Sequence, residues 1–449
     1  MKTTALIRFI TLIALVSAST TVSQAKKWKP IKLTREITHP QPMTGLVLWP
    51  SEARRLQSTY GQAFQLEFSY CLPSMVVKGC EDDGTIVYDW SWFDKILEDV
   101  ASRDHQLIAR FRYEYPSSRD VDGNRGTTAV PAYIKQQNDY SETFASNPNN
   151  DGPTWYADWN NAELQRFTLQ FYTDFAKRYA HDKRLAFLEV GFGHWSEYHI
   201  YGTKLDLGKN FPSKAFQKQF YEHMSKVMTD IPWAVSINAG DSRYSPVTAD
   251  STLLALSFGL FDDSFMHKSH ELSSGGGFNE RCWNAINCGT RWQTGVCGGE
   301  ISYYSSNDQK NFLNPEGHYG HTWEEQAAKY HITFMICNDA PRGGVATAER
   351  FREGSLATGY RFLVKQCETN GSTTRLRVSN EGVAPLYRDA WFAIGDIRSN
   401  TSLRGLLPNN ECWIEIPAVP NRDGSNIQIV SDNILPKQTI EFVADLKGK

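Results

Sequence analysis

Eight short apolar runs rich in β-forming residues recur between residues 44 and 340, and helical patterns separate them. The runs are Gly45 to Trp49, Phe64 to Tyr70, Leu107 to Tyr113, Leu185 to Gly191, Trp233 to Asn238, Ala255 to Leu260, Thr294 to Gly298 and Ile332 to Cys337. Strands alternating with helices pair in parallel through crossovers, and eight such units over about 300 residues match a closed α/β architecture, the (β/α)8 TIM barrel. The clearest helix covers 161–180, with Leu164, Phe167, Phe171, Phe175 and Tyr179 on one face. Asn160 is its expected N-cap and Glu163 the acidic partner. A second starts at Ser213 and carries Phe216, Phe220, Met224 and Val227, and a third starts at Thr322 with Glu325 completing a capping box. An open doubly wound sheet is the competing arrangement, but no strand runs into a G-x-G-x-x-G turn.

After about residue 350 the pattern changes to alternating strands with turn punctuation: Arg375 to Ser379, Ala390 to Ile394, Trp413 to Ile416 and Thr439 to Ala444. This predicts a smaller C-terminal β-sandwich over 351–449, behind a barrel over 26–350. Residues 1–25 hold Lys2, Arg8, an apolar stretch from Phe9 to Val16 and small residues at Ser23 and Ala25, the pattern of a secretory signal peptide. Cleavage near Ala18 is the alternative to Ala25. No later stretch is long and apolar enough to span a bilayer, so a secreted protein with no membrane insertion is expected.

Composition narrows the function. There are 47 basic residues against 50 acidic ones, and removal of 1–25 would take Lys2 and Arg8 from the basic side and nothing from the acidic side. A polybasic nucleic-acid binder is therefore not expected. Aromatic residues make up 13% of the chain, and such an excess suits a ligand with flat apolar faces, such as a sugar. Eight cysteines in an exported chain invite disulfides, with Cys71–Cys80 and Cys282–Cys288 as short closures; Cys297 and Cys337 fall on neighbouring strands, and Cys367 and Cys412 in the C-terminal region. Buried free thiols are the other reading. No C-x2-C or H-x3-H pair supports zinc, and Asp120 to Asn124 starts like a calcium loop but lacks its glycine and closing acid, so no metal or other cofactor is expected.

Barrel enzymes draw their chemistry from residues at the C-terminal ends of strands. After the fourth strand comes Gly191-Phe192-Gly193-His194-Trp195-Ser196-Glu197-Tyr198-His199, where Glu197 sits among aromatic rings that would raise its pKa toward that of a proton donor. The seventh strand ends at Gly298-Gly299-Glu300, followed by Tyr303, and its glycines would let a substrate approach the backbone. Two carboxyls converging on one pocket are what glycosidic hydrolysis needs, one protonating the leaving oxygen, the other attacking or activating water. Arg110, Arg112, Tyr113 and Glu114 follow the third strand, Asn238, Asp241 and Arg243 the fifth, Asp262 and Asp263 the sixth, and Asn338, Asp339 and Arg342 the eighth. Asp262 or Asp263 rivals Glu300 as second carboxylate. Glu189, inside the fourth strand, reads as structural. Trp49, Arg112, Tyr113, His194, Trp195, Tyr198, His199, Asp241, Asp262, Asp263, Tyr303 and Asn338 are expected to line substrate, as is the long insertion 116–160 with Trp155, Tyr156 and Trp159.

Val130-Pro131-Ala132-Tyr133, Asp158-Trp159-Asn160, Gly191 to His199, Gly298-Gly299-Glu300 and Asn380 to Tyr387 together resemble a bacterial family of secreted barrel-plus-sandwich proteins similar to glycoside hydrolases. Where that family reads Trp-Gly-Glu-Trp-His, this chain has Ser196 and Tyr198. Among characterised enzymes the chain is most similar to the β-agarases of glycoside hydrolase family 118. That resemblance implies endo-hydrolysis of the β-1,4 bonds of agarose to neoagaro-oligosaccharides with inversion. The expectation is thus a secreted endo-acting glycoside hydrolase with Glu197 as general acid, Glu300 as nucleophile or base, and a polysaccharide as partner. Its rivals are a non-catalytic glycan-binding protein on the same barrel and a lyase using His194, His199 or Tyr303.

Overall fold

The computed structural model describes residues 27–114, 120–121, 124–125, 128–271, 276–287, 289–304, 306–337, 345 and 347–447. The expected signal segment, Cys288, Asn338, Asp339 and Arg342 lie outside the described residues, as do the side chains of the calcium-like stretch.

The closed barrel is present. Its strands are β1 (Gly45–Leu48), β2 (Leu66–Cys71), β3 (Gln106–Phe111), β4 (Leu185–Val190), β5 (Trp233–Ser236), β6 (Gly259–Phe265), β7 (Cys297–Ile301) and β8 (Phe334–Ile336), each parallel to its neighbours, with β8 closing on β1. The helices that follow them in turn are α1 (Pro50–Tyr60), α2 (Ser91–Ala101), α3 (Ala162–Tyr179), α4 (Lys214–Val227), the single turn α5 (Ser251–Leu254), α6 (Phe278–Asn287), α7 (Trp323–Lys329) and α8 (Ala348–Leu356). The N-cap of α3 is Asn161 rather than Asn160: the Asn161 side chain accepts from the Leu164 amide at 2.8 Å. Ser213 caps α4, and Thr322 with Glu325 forms the capping box of α7.

Two strands sit later than the sequence pattern placed them. β6 begins at Gly259 and runs through Asp262 and Asp263, and β7 begins at Cys297 and contains Glu300. Polar residues interrupt both apolar runs, so periodicity stops reading as strand where the barrel interior turns polar.

Within each strand, side chains alternate between the interior and the helices. Val47, Leu66, Phe68, Ile108, Phe187, Ala234, Phe261, Phe334 and Ile336 fill the interior, while Leu46, Leu48, Leu107, Ala109, Leu188, Val190, Val235, Leu260 and Met335 join the cluster that includes the helices. The same interior cluster continues into Phe362, Val364, Leu376, Val378, Phe392 and Ile414.

Those last residues belong to the C-terminal β-sandwich. One sheet holds β9 (Phe362–Thr369), β10 (Thr374–Asn380) and β12 (Glu411–Ile416), the other β11 (Trp391–Ile394) and β13 (Ile427–Val430). The strand expected at Thr439 to Ala444 is β14 (Ala444–Leu446). Residues 29–35, grouped with the barrel on sequence, pair instead with this region: Lys29 opposite Thr369, and Leu33 opposite Leu446.

The sandwich seats against the N-terminal ends of the barrel strands. Arg388 is buried and donates to the carbonyls of Ala180, Leu185 and Ala186 at 3.0–3.2 Å, and the Gln106 amide donates to the Asn433 carbonyl at 2.9 Å. The C-terminal mouth is thereby left as the open end.

Among the described residues no disulfide forms; Cys71, Cys80, Cys282, Cys297, Cys337, Cys367 and Cys412 are free thiols. Cys297 starts β7 whereas Cys337 follows β8, so the neighbouring strands hold them at opposite ends, and the Cys337 thiol donates to the Val47 carbonyl at 3.3 Å. No described helix is long and apolar enough to cross a membrane.

Candidate active site

By strand alternation, the last interior positions before the mouth are Trp49 just past β1, Tyr70, Arg110, Glu189, Ser236, Asp263 and Glu300. Below them the interior is apolar, so the polar layer marks where the barrel stops being core and begins to face the mouth.

Glu197 reaches this layer from a tight curl after β4. Trp195 and Ser196 both adopt left-handed backbone angles, φ 56° and 60°. The amides of Phe192 and Gly193 donate to the Glu197 carbonyl (3.3 and 2.8 Å), and the His194 amide to the His199 carbonyl (2.8 Å). A Cβ at Gly191 would overlap the Ser196 carbonyl, and one at Gly193 that of His199, so only glycine closes the curl. β3 fastens it: the Ser196 hydroxyl donates to the carbonyls of Phe111 and Gly191 (3.0 and 3.1 Å), and its amide donates to Glu114 at 2.7 Å.

The Glu197 carboxyl is 13% exposed; its Oε2 accepts from the Ser236 hydroxyl at 3.1 Å and lies 3.9 Å from His199 Nδ1. Burial and the facing charge of Asp263 hold it well above the usual carboxylate range, with Arg110 and the Ser236 hydroxyl opposing and Asp262 reinforcing. His199 accepts from the Asn238 amide at 2.9 Å, and burial pushes its imidazole down to about 3, so it stands neutral beside Glu197. Glu114 is raised to about 7 by burial, against the pull of Arg112.

Arg110 centres the layer. It donates to Glu189 through Nε at 2.7 Å, to Asp263 through Nη1 at 2.6 Å and Nη2 at 3.2 Å, and to the Trp195 carbonyl at 3.3 Å, with its guanidinium 4.1 Å from the Phe261 ring. Glu189, within β4, is thus paired with Arg110 from β3. Arg112 lies over Tyr70 and Trp195, 3.8 and 4.7 Å from their centroids, and Trp49 packs on Tyr70 at 5.4 Å. These rings and guanidinium form one wall of the mouth. Glu300 faces the interior of β7 and is half-buried, near enough to act electrostatically on Tyr70 of β2 and Cys337 after β8.

Several expected substrate contacts lie elsewhere. Tyr113 alternates with Arg112 and so faces the helices, its hydroxyl 2.9 Å from Thr168 and its ring on Trp159. Tyr198 is fully buried among Phe192, Phe211 and Tyr221. Asp241 is tied to Arg243 at 2.5 Å. Asp262 points away from the interior, accepting from Asn279 of α6 at 2.8 Å and lying 3.0 Å from His270. Gly298 and Gly299 make room for protein: a Cβ there would strike the Phe334 ring and the Asp262 backbone.

In the insertion, Tyr156 and Trp159 are core, whereas Trp155 packs at a tilt against the exposed Phe144, 4.8 Å between centroids. Its Asp151 accepts from His194 Nε2 and Trp195 Nε1 at 2.8 and 3.2 Å, which buries His194 and fixes the indole of Trp195. Sequence reading also missed Tyr70, Ser236, Tyr201 and Tyr304. Tyr304, beside the expected Tyr303, interacts with Glu197, and both tyrosines are exposed at the mouth. Tyr70 is one residue before the end of β2, as Arg110 is in β3 and Glu189 in β4, and that place in the strand is the signal for it.

No protein-family model matches the chain, and no curated protein does. Among solved structures, endo-glycoceramidase II from Rhodococcus sp., in a cellobiose-like imidazole complex, aligns with 85% of this chain and 100% of its own at 9% identity and a TM-score of 0.41. The catalytic domain of β-amylase from Paenibacillus polymyxa aligns with 71% of this chain and 96% of its own, at 10% identity and 0.39. A GH30 endoxylanase from Clostridium papyrosolvens covers 86% and 97%, at 11% identity and 0.37. Likeness at that level carries no argument about chemistry, which has to come from the side chains at the mouth.

Proposed function

We propose that the protein is a secreted, endo-acting glycoside hydrolase in which Glu197 is the general acid and Glu300 the nucleophile or general base. The observation that carries this reading is the nearly buried Glu197 carboxyl at the barrel mouth, held by the Ser236 hydroxyl beside a polar layer from several strands, where burial and the charge of Asp263 push its pKa up in the direction a proton donor needs. Protonation of the glycosidic oxygen by Glu197 would release the leaving sugar, while Glu300, from β7, would meet the anomeric carbon directly or through water. Trp49, Arg112, Trp195, Tyr303 and Tyr304 supply rings and donors for sugar faces and hydroxyls. A polysaccharide substrate suits an open mouth with exposed tyrosines, and the β-1,4 bonds of agarose, cut to neoagaro-oligosaccharides, are the first linkage to test. The apolar N-terminal stretch with its small residues supports export.

The test is reducing-end release from agarose, porphyran, carrageenans, β-glucans, xylan and alginate by wild type, Glu197→Gln and Glu300→Gln. One galactan should be cleaved, with turnover lower by about 10²–10⁴ in Glu197→Gln. Cleavage retained at the wild-type rate in either variant would overturn the assignment of that residue. Binding to one glycan without cleavage of any would replace the hydrolase with a glycan-binding protein.

A further inference from the structure

Asp262 and Asp263 were equal rivals on sequence for the second carboxylate, and the structure separates them. Asp262 turns to Asn279 and His270, outside the interior. Asp263 faces inward, but both of its oxygens lie in the Arg110 fork, at 2.6 and 3.2 Å. The same guanidinium donates to Glu189 and to the Trp195 carbonyl, two residues before Glu197. It is fully buried and rests on Phe261, so it has no room to release its partners.

We propose that Asp263, which Arg110 locks against the curl carrying Glu197, is a positioning residue for the hydrolysis proposed above and not its second carboxylate. The inference rests on that hydrolase reading. A carboxylate with both oxygens held by one guanidinium keeps its place, and its lone pairs are directed at Arg110 rather than at an anomeric carbon. What it contributes is a fixed negative charge facing Glu197.

The other groups that act on Glu197 are Arg110 from β3, Ser236 from β5, His199 and Tyr201 from its own loop, Tyr304 from the loop after β7 and, through charge alone from the helix-facing side of β6, Asp262. Of these, Arg110 and Ser236 favour the ionised Glu197, and His199 is neutral. Asp263 is the larger of the two acidic influences that keep the proton on Glu197.

The experiment is the pH–rate profile of Asp263→Asn and Asp263→Glu on the glycan the wild type cleaves, with Glu300→Gln as reference. As a positioning residue, Asp263→Asn should keep measurable turnover at the acid end, and its alkaline limb should move to lower pH by roughly one unit. Asp263→Glu keeps the charge and should leave the limb in place, which gives a reading even if Asp263→Asn does not fold. Turnover lost as deeply as in Glu300→Gln in folded Asp263→Asn, or in Asp263→Glu, would make Asp263 a reacting group and overturn the proposal. An unmoved alkaline limb in active Asp263→Asn would overturn it too. A wild type that cleaves no glycan removes the hydrolase reading and this proposal together, and that result is visible before any variant is made.

Discussion

Glu197 owes its place to residues that carry no chemistry themselves. Gly191 and Gly193 have carbonyls where a Cβ would stand, and Trp195 and Ser196 hold left-handed angles between them. Gly191→Ala should therefore destabilise the fold by at least about 1–3 kcal/mol and remove activity together, checked by thermal unfolding and reducing-end release. His199 gives a pH signature. Its imidazole binds a proton near pH 3 in the fold and near 6.5 when unfolded, so the stability it contributes is whole above about 6.5 and is lost as pH falls toward 3. Urea midpoints between pH 7 and 4 should fall less steeply in His199→Gln than in wild type. Sequence context alone pointed to Glu197, because the residue lies among rings just past an apolar run; that its hydroxyl partner would be Ser236 could not be read, since the partner sits on the next strand.

At the scale of elements, local signals and tertiary register divide the work. The capping box at Thr322 and Glu325 is a four-residue pattern and forms as read, with Oγ1 of Thr322 accepting from the Glu325 amide at 3.2 Å. Thr322→Ala should lower stability by about 1 kcal/mol in a denaturant titration. The ends of β6 and β7 were not legible, because Asp262, Asp263 and Glu300 break the apolar run while the backbone continues in the barrel ladder. Tyr198 shows the same limit from the other side. Next to Glu197 in sequence, it alternates to the helix-facing side and becomes core, so Tyr198→Ala should cost about 3–5 kcal/mol in stability, measured by unfolding, like other large aromatic truncations.

For the whole molecule, the sandwich acts as the floor of the barrel. Its apolar residues share one cluster with the barrel interior, and Arg388 reaches three carbonyls around the start of β4. Arg388→Met would leave those buried acceptors without their donor, and each such loss costs about 1–3 kcal/mol. The variant should melt markedly lower, with the barrel and sandwich unfolding in separate calorimetric transitions. Residues 29–35 reinforce the joint by pairing with β9 and β14, which places the start of the described chain on the sandwich.

The sequence by itself determined the alternation of eight strands with helices, the sandwich behind them and the placing of Glu197 just past the fourth strand, because periodicity and capping are local. Tertiary structure decided which neighbours of Glu197 face it. Interior and exterior alternate along each strand, so Arg112 and Tyr113, or Asp262 and Asp263, part company although they are adjacent in the chain. It also decided that Cys297 and Cys337 remain thiols and that Arg110, rather than any residue near Glu197 in sequence, organises the mouth. These outcomes depend on barrel closure, which brings together strands more than 70 residues apart, and no local pattern encodes a register of that span.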